Sequence, residues 1–373
     1  MKKINYFLSL LCFCTMLSCA SDSSSKVDEA AAKVTAAEKV AAEKAKVASE
    51  RMDALQKLKV ENRIKYDKIV TGFQSPESVA TDGTFFYVSN VGAKLAPSAK
   101  DADGFISKLD AEGEVLELKW IAGEDLHAPK GMAIVKGVLY VADVDKIRGY
   151  KIKNKEKVFE LDFSKELTLY LNDLAIKDDN TLFVSATDVG FIYEVNLKGK
   201  GSYKMVDIYS DLTGVNGLEY DKAKNRLMIN SFGIDGAPYG MVGVCPLEGD
   251  KLKQKTIGTF RGFLDGIHQV ADDMVLVSDW QDFEKGGNLT FYDLVTEEVR
   301  PILHGLIGGP ADFYYDKKTK NVWLPAMQDN ELIITKLDLD LERKDQGTII
   351  NSTGGYQVTT KDKIEFKPAE EKK

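Results

Sequence analysis

Pro129-Lys130-Gly131-Met132-Ala133-Ile134-Val135-Lys136-Gly137-Val138-Leu139-Tyr140-Val141-Ala142 reads as an apolar strand, a turn, and a second strand of β-branched and aromatic residues. The unit recurs along the chain. Its other starts are Pro76-Glu77-Ser78-Val79, Asn172-Asp173-Leu174-Ala175, Asn216-Gly217-Leu218-Glu219, Asp265-Gly266-Ile267-His268 and Pro310-Ala311-Asp312-Phe313. Second strands follow as Tyr87-Val88-Ser89, Phe183-Val184-Ser185, Met228-Ile229-Asn230, Leu276-Val277-Ser278 and Trp323-Leu324-Pro325. Starts at 76, 129, 172, 216, 265 and 310 lie 53, 43, 44, 49 and 45 residues apart. Third strands such as Phe191-Ile192-Tyr193-Glu194-Val195 and weaker outer strands such as Val158-Phe159-Glu160-Leu161 complete the units. A period in the forties with about four strands per unit predicts an all-β, six-bladed β-propeller. The outer-strand-like segment 68–73 precedes the first blade and is expected to pair into the sixth, closing the ring and removing a free edge.

The repeats account for the length. At about 150 residues per domain, 373 residues suggest two domains, but the six units fill one ring over residues 66–341. A hydrophobic content of 44% with 29% charged residues excludes a mostly disordered chain. A net charge of −8 argues against nucleic acid as a partner, and three histidines leave little for a multi-histidine zinc centre.

Residues 1–18 read as a signal peptide. Lys2 and Lys3 precede an apolar run from Ile4 to Leu17 that is too short for an ordinary membrane span. The run ends in Leu17-Ser18-Cys19, which resembles the lipobox of bacterial lipoproteins. That resemblance implies cleavage before Cys19, its lipidation, and a membrane-anchored protein of the bacterial cell envelope, at the outer membrane or its periplasmic face. Residues 19–65 hold the lipidated Cys and a spacer rich in Ala, Lys and Glu, without Gly or Pro from Lys26 to Arg63, which favours a long helix. Its thin apolar stripe suits a solvated stalk, with weak self-association as the other reading. Residues 342–373 form a C-terminal extension. Cys12 and Cys14 leave with the signal, so Cys245 has no partner for an internal disulfide and reads as a small buried apolar residue.

The first strand of each blade lines a propeller's channel, so equivalent start residues converge at one mouth. Read on the leading residue, the ring is Pro76, Pro129, Asn172, Asn216, Asp265 and Pro310. Two amide oxygens and a carboxylate from consecutive blades suit a hard cation such as Ca²⁺; the competing reading is that Asn and Asp-Gly only make turns. These residues resemble the six-bladed propellers of the senescence-marker/gluconolactonase type, related to the paraoxonase-like lactonases. The resemblance implies a divalent metal held by an acidic residue of the first blade, Glu77, with Asn172, Asn216 and Asp265. It also implies hydrolysis of a lactone or ester, with a water as nucleophile and Asp265 or another channel carboxylate taking its proton.

Two features depart from that pattern. Glu77 stands one place after the leading Pro76, and strand alternation turns it away unless a bulge re-aims it. Tyr170 stands where the gluconolactonase branch has an arginine, two places before the third-blade Asn, which points away from sugar acids. His127 and Lys130 are further catalytic candidates at the rim, as base or electrostatic partner, against the plainer readings of a solvated loop histidine and a surface lysine. His268 is expected to face away from the channel, and Asp312 to face inward and deeper. The loops 232–240 and 280–287 are expected on the mouth's face, where their aromatic residues shape a rim. The expected partner is a small-molecule substrate at the mouth. The alternative is a non-catalytic propeller that binds a ligand or a protein in the envelope.

Overall fold

The computed structural model describes residues 66–341, apart from 124–125, 210–211, 234–235, 250–251, 282, 284–285 and 340. The signal peptide, Cys19, the helical spacer and the C-terminal extension therefore lie outside the described residues. Within them the chain forms six four-stranded antiparallel sheets and a short parallel pair, Ile208–Tyr209 with Leu252–Lys253. Five sheets are built from consecutive segments of chain. The sixth joins Tyr314–Asp316, Asn321–Ala326 and Glu331–Lys336 to Lys68–Thr71 from the other end of the ring.

The architecture is the six-bladed β-propeller that the repeat predicts. Each inner strand lies against the inner strand of the next blade. The last, Tyr314–Asp316, lies against both Leu264–Ala271 and Pro76–Thr81, which closes the circle. Apolar side chains fill each junction between blades. Ala133, Tyr140, Leu174 and Tyr193 pack between blades 2 and 3, for example, and Val79, Phe86, Trp323 and Ile334 between blades 1 and 6. At that last junction Phe86 and Trp323 stack with ring centroids 3.7 Å apart. The inner hairpin of blade 2 turns tightly because Lys136 and Gly137 both take positive φ, 50° and 76°, the geometry that matches the twist of paired strands.

One local feature decides how the site is built. In every blade the inner strand carries an extra residue near its start. Pro76 pairs with Asn90 and Val79 with Val88, so Glu77 and Ser78 together face Ser89. The same two-against-one step sets Lys130-Gly131, Asn172-Asp173, Asn216-Gly217 and Asp265-Gly266 opposite Ala142, Ser185, Asn230 and Ser278. In blade 6, Pro310 bridges to Ala326 and the strand resumes with Tyr314 opposite Trp323. Such a bulge strands a backbone N–H that must find another acceptor. The second strand supplies it: Ser78, Asp173 and Gly266 donate to Ser89, Ser185 and Ser278 Oγ at 2.9, 2.9 and 2.8 Å, and Gly217 donates to Asn230 Oδ1 at 2.8 Å.

Ser185 does two jobs, since its hydroxyl also donates to the Asn216 carbonyl of the next blade at 2.7 Å. Ser185→Ala leaves both a buried N–H and a buried C=O without this partner, and should cost about 1–3 kcal/mol of unfolding free energy. Urea denaturation checks this, and a loss below about 0.3 kcal/mol would contradict the capping role.

Candidate active site

The bulges change which residues are equivalent. Aligned by strand register, the leading residues are Pro76, Pro129, Leu171, Val215, Leu264 and Pro310. Reading the ring on Asn172, Asn216 and Asp265 as leading residues is therefore one place out in those three blades. The corrected second place holds Glu77, Lys130, Asn172, Asn216, Asp265 and Ala311. Glu77 is in line with the two asparagines and the aspartate, because every blade carries the same bulge. A signal for this was present in the sequence. Aligning the units on the apolar fourth residue, Val79, Met132, Leu174, Leu218, Ile267 and Phe313, brings these side chains into one column.

All five polar side chains of that column are buried. Asn216 Nδ2 donates to Asp265 Oδ1 at 2.9 Å and to the Leu264 carbonyl at 3.3 Å. Trp280 Nε1 donates to the other Asp265 oxygen at 2.9 Å, a contact that sequence reading missed because Trp280 lies on a different strand end. Asn172 Nδ2 donates to Thr187 Oγ1 at 3.1 Å. Lys130 is 2% exposed, so the surface-lysine reading is wrong; its Nζ donates to the Ala128 carbonyl at 2.8 Å and sits 5.3 Å from the Tyr170 ring centroid. Two oxygens of the column, Glu77 Oε2 and Asn216 Oδ1, are buried with no hydrogen-bond partner.

A second acidic layer lies one residue further along the strands. Asp173 accepts the Leu174 and Leu218 N–H groups, both at 2.6 Å. Asp312 accepts the Ser78 hydroxyl at 2.5 Å and the Phe313 N–H at 3.0 Å. Glycine makes this closeness available: a Cβ on Gly131 would stand 2.5 Å from Asp173 Cα, and one on Gly266 2.7 Å from Asp312 Cα.

Four carboxyl groups and one ammonium thus share a buried space. Burial pushes the Asp265 carboxyl up to about 7 and that of Asp173 up to about 6. Glu77 and Asp312 are held well above the carboxylate range, first by burial and then by the fields of neighbouring acids. Burial pushes Lys130 down to about 8, against the pull of Glu77 and Asp143, so it carries its charge at neutral pH.

The other sequence candidates fall outside the column. His127 Nδ1 accepts the Ala102 N–H at 3.1 Å, which ties this nitrogen to a loop. His268 Nδ1 lies 3.3 Å from Glu219 Oε2, with its ring against Tyr314. Cys245 is fully buried, and burial pushes its thiol up to about 11. Over the column, Val91, Ala128, Val144, Phe263, Trp280, Ala311 and Met327 form one apolar cluster, with Phe232 against it. Phe232, Phe263, Trp280 and Phe283 pack edge to face or tilted, while Tyr239 is exposed.

The donor set fits a hard cation. Carboxylate and amide oxygens are its ligand type, and buried acceptors without partners cost free energy that a cation removes. Among the described residues no three His, Cys, Asp or Glu side chains form a metal-ligand group by themselves, so Asn172 and Asn216 are needed to complete one.

No protein-family model and no curated protein sequence matches the chain. Solved structures do share its fold. A presumed gluconolactonase from a structural-genomics consortium superposes with a TM-score of 0.53 at 12% identity, covering 72% of this chain and 90% of that one. The β-propeller domain of Cps50 (Swd1) from Myceliophteria thermophila gives 0.51 at 8% identity, covering 73% and 99%. Identities this low define a class, the β-propellers, and the fold alone.

The acidic cluster has a consequence for stability. A carboxyl whose folded pKa lies above its unfolded value, about 4 for Asp, stabilises the fold at low pH. That contribution is lost as pH rises through the folded pKa, here between about pH 4 and 7. Asp265→Asn removes one such group. In EDTA, its melting temperature relative to wild type should therefore rise from pH 4 to pH 7; a difference that stays flat or falls would show that Asp265 does not titrate in this way.

Proposed function

We propose that the protein is a metal-dependent hydrolase of lactones or related esters, with a divalent cation, Ca²⁺ by the chemistry of its donors, at the mouth of the propeller channel. One observation carries this reading: Glu77, Asn172, Asn216 and Asp265 occupy the same bulged place in blades 1, 3, 4 and 5, with Glu77 Oε2 and Asn216 Oδ1 buried and unpartnered. The fold shared with a presumed gluconolactonase agrees with it.

Glu77, Asn172, Asn216 and Asp265 would hold the cation, which when bound supplies Lewis acidity toward a carbonyl and its developing oxyanion. The chain's own groups do the rest. Trp280 and Asn216 clamp the Asp265 carboxylate from both sides, which fixes it where it can take a proton from water. The apolar cluster around Trp280 and Met327 excludes bulk water from that exchange. Tyr170 offers an aromatic wall beside the Lys130 ammonium.

A second reading, a propeller that binds a ligand without turnover, draws on the burial of every polar side chain of the column. Turnover separates the two. The metal-loaded protein should hydrolyse members of a panel of aliphatic lactones and aryl esters, and Asp265→Asn should lower kcat/KM by about 100-fold or more. Metal uptake with no turnover of any panel member would favour the binding reading.

We also propose that Cys19 carries lipid and anchors the protein in the cell envelope. Cys19→Ala should shift the protein from the membrane fraction to the soluble one and abolish labelling by a radioactive fatty acid; unchanged fractionation and labelling would refute the anchor.

A further inference from the structure

The column has six places, and one of them is cationic. Lys130 stands at the blade 2 place between Glu77 of blade 1 and Asn172 of blade 3. Its side chain is almost fully buried, with a hydrogen bond to the Ala128 carbonyl and the Tyr170 ring beside its head. An ammonium is costly to bury unless opposite charge surrounds it. Here the opposite charge comes from Glu77 in the same column and from Asp143 at the end of the neighbouring strand, both buried. Glu77 and Lys130 act on each other through their charges, while Glu77 Oε2 accepts no hydrogen bond.

We infer that Lys130 is a tethered counter-ion of the column, which competes electrostatically with a divalent cation for Glu77 and so sets the affinity of the site. The inference rests on the cation reading above and deepens it by assigning what regulates occupancy. Without Lys130 the four ligating side chains carry two formal negative charges; with it the column carries one. Cation sites tune their affinity by ligand charge count. Even in the full dielectric of water, a unit charge about 6 Å from a divalent ion changes its binding by about tenfold, and a buried pair is screened less. The tethered charge also gives the acidic column a resident partner when divalent cation is scarce. The site is thereby suited to respond to cation concentration.

Calorimetric titration of Ca²⁺ at pH 7 and fixed ionic strength tests this on the wild type, Lys130→Met and Lys130→Gln. Gln retains a donor for the Ala128 carbonyl and serves as the second variant should Met not fold. Both should bind Ca²⁺ at least tenfold more tightly than wild type and show a larger Ca²⁺-induced rise in melting temperature. Lys130→Arg, which keeps the charge, should stay within about twofold of wild type. Equal affinities across wild type, Met and Gln overturn the counter-ion role and leave the cation site standing. Tightening by Arg as much as by Met overturns it too, since shape rather than charge would then be the cause. Absence of Ca²⁺ uptake by all four proteins refutes the cation site itself, and the counter-ion role with it.

Discussion

The extra residue at the head of each inner strand is the constraint on which the rest of this propeller depends. A strand without it alternates faces at every residue, so two adjacent polar side chains cannot both serve the centre of the ring. With two residues opposed to one, the chain turns a side chain at the second place toward its counterparts in other blades and still restores the apolar alternation by the fourth. The stranded N–H is then met by a side chain at the end of the second strand: Ser89, Ser185, Asn230 or Ser278. Blades 2 and 6 have Ala142 and Pro325 in that position. They are also the blades that bring Lys130 and Ala311, rather than an oxygen ligand, to the column.

A channel lined this way concentrates charge that water would otherwise solvate. The apolar cover assembled from Val91, Val144, Trp280 and Met327 deepens the effect by keeping the column buried. The acids respond as buried carboxyls do, with a stronger hold on protons, and the Trp280 and Asn216 donors partly offset this at Asp265. Lys130 is the opposing element. Seen together, the column is an acidic cluster under partial internal neutralisation, which ties proton binding and folding stability to one set of side chains. The junctions between blades carry the ordinary burden of stability through their apolar clusters, so the channel can hold groups that a core would reject.

Much of the fold was legible because strand alternation and turn chemistry are local, and six imperfect copies of one local pattern reinforce one another. The repeat alone led from Pro76 to Phe313 through six blades. The site was half legible. Asn172, Asn216 and Asp265 stood out by type, but Glu77 fell one place out of register and Lys130 read as a surface side chain. The bulge is responsible for both misreadings: one inserted residue per strand leaves the spacing between repeats almost unchanged while exchanging the faces of the strand. The contact between Trp280 and Asp265, 15 positions apart in the chain, depends on how a strand end folds back over the mouth, which no periodicity records.

The sequence by itself determined the class of architecture and the chemical inventory of the channel, since hydrophobic period, turn residues and residue types are properties of short segments. Only the tertiary structure decided which residues meet. It put Glu77 and Lys130 in one column with the two asparagines and Asp265, tied His127 Nδ1 to the Ala102 N–H, and buried the whole column beside an apolar cluster drawn from blades 1, 2, 5 and 6. The physical reason is that closing the ring brings residues as far apart in the chain as Ser78 and Asp312, 234 positions, into one electrostatic neighbourhood. Burial, mutual charge and unpartnered oxygens come into being only there.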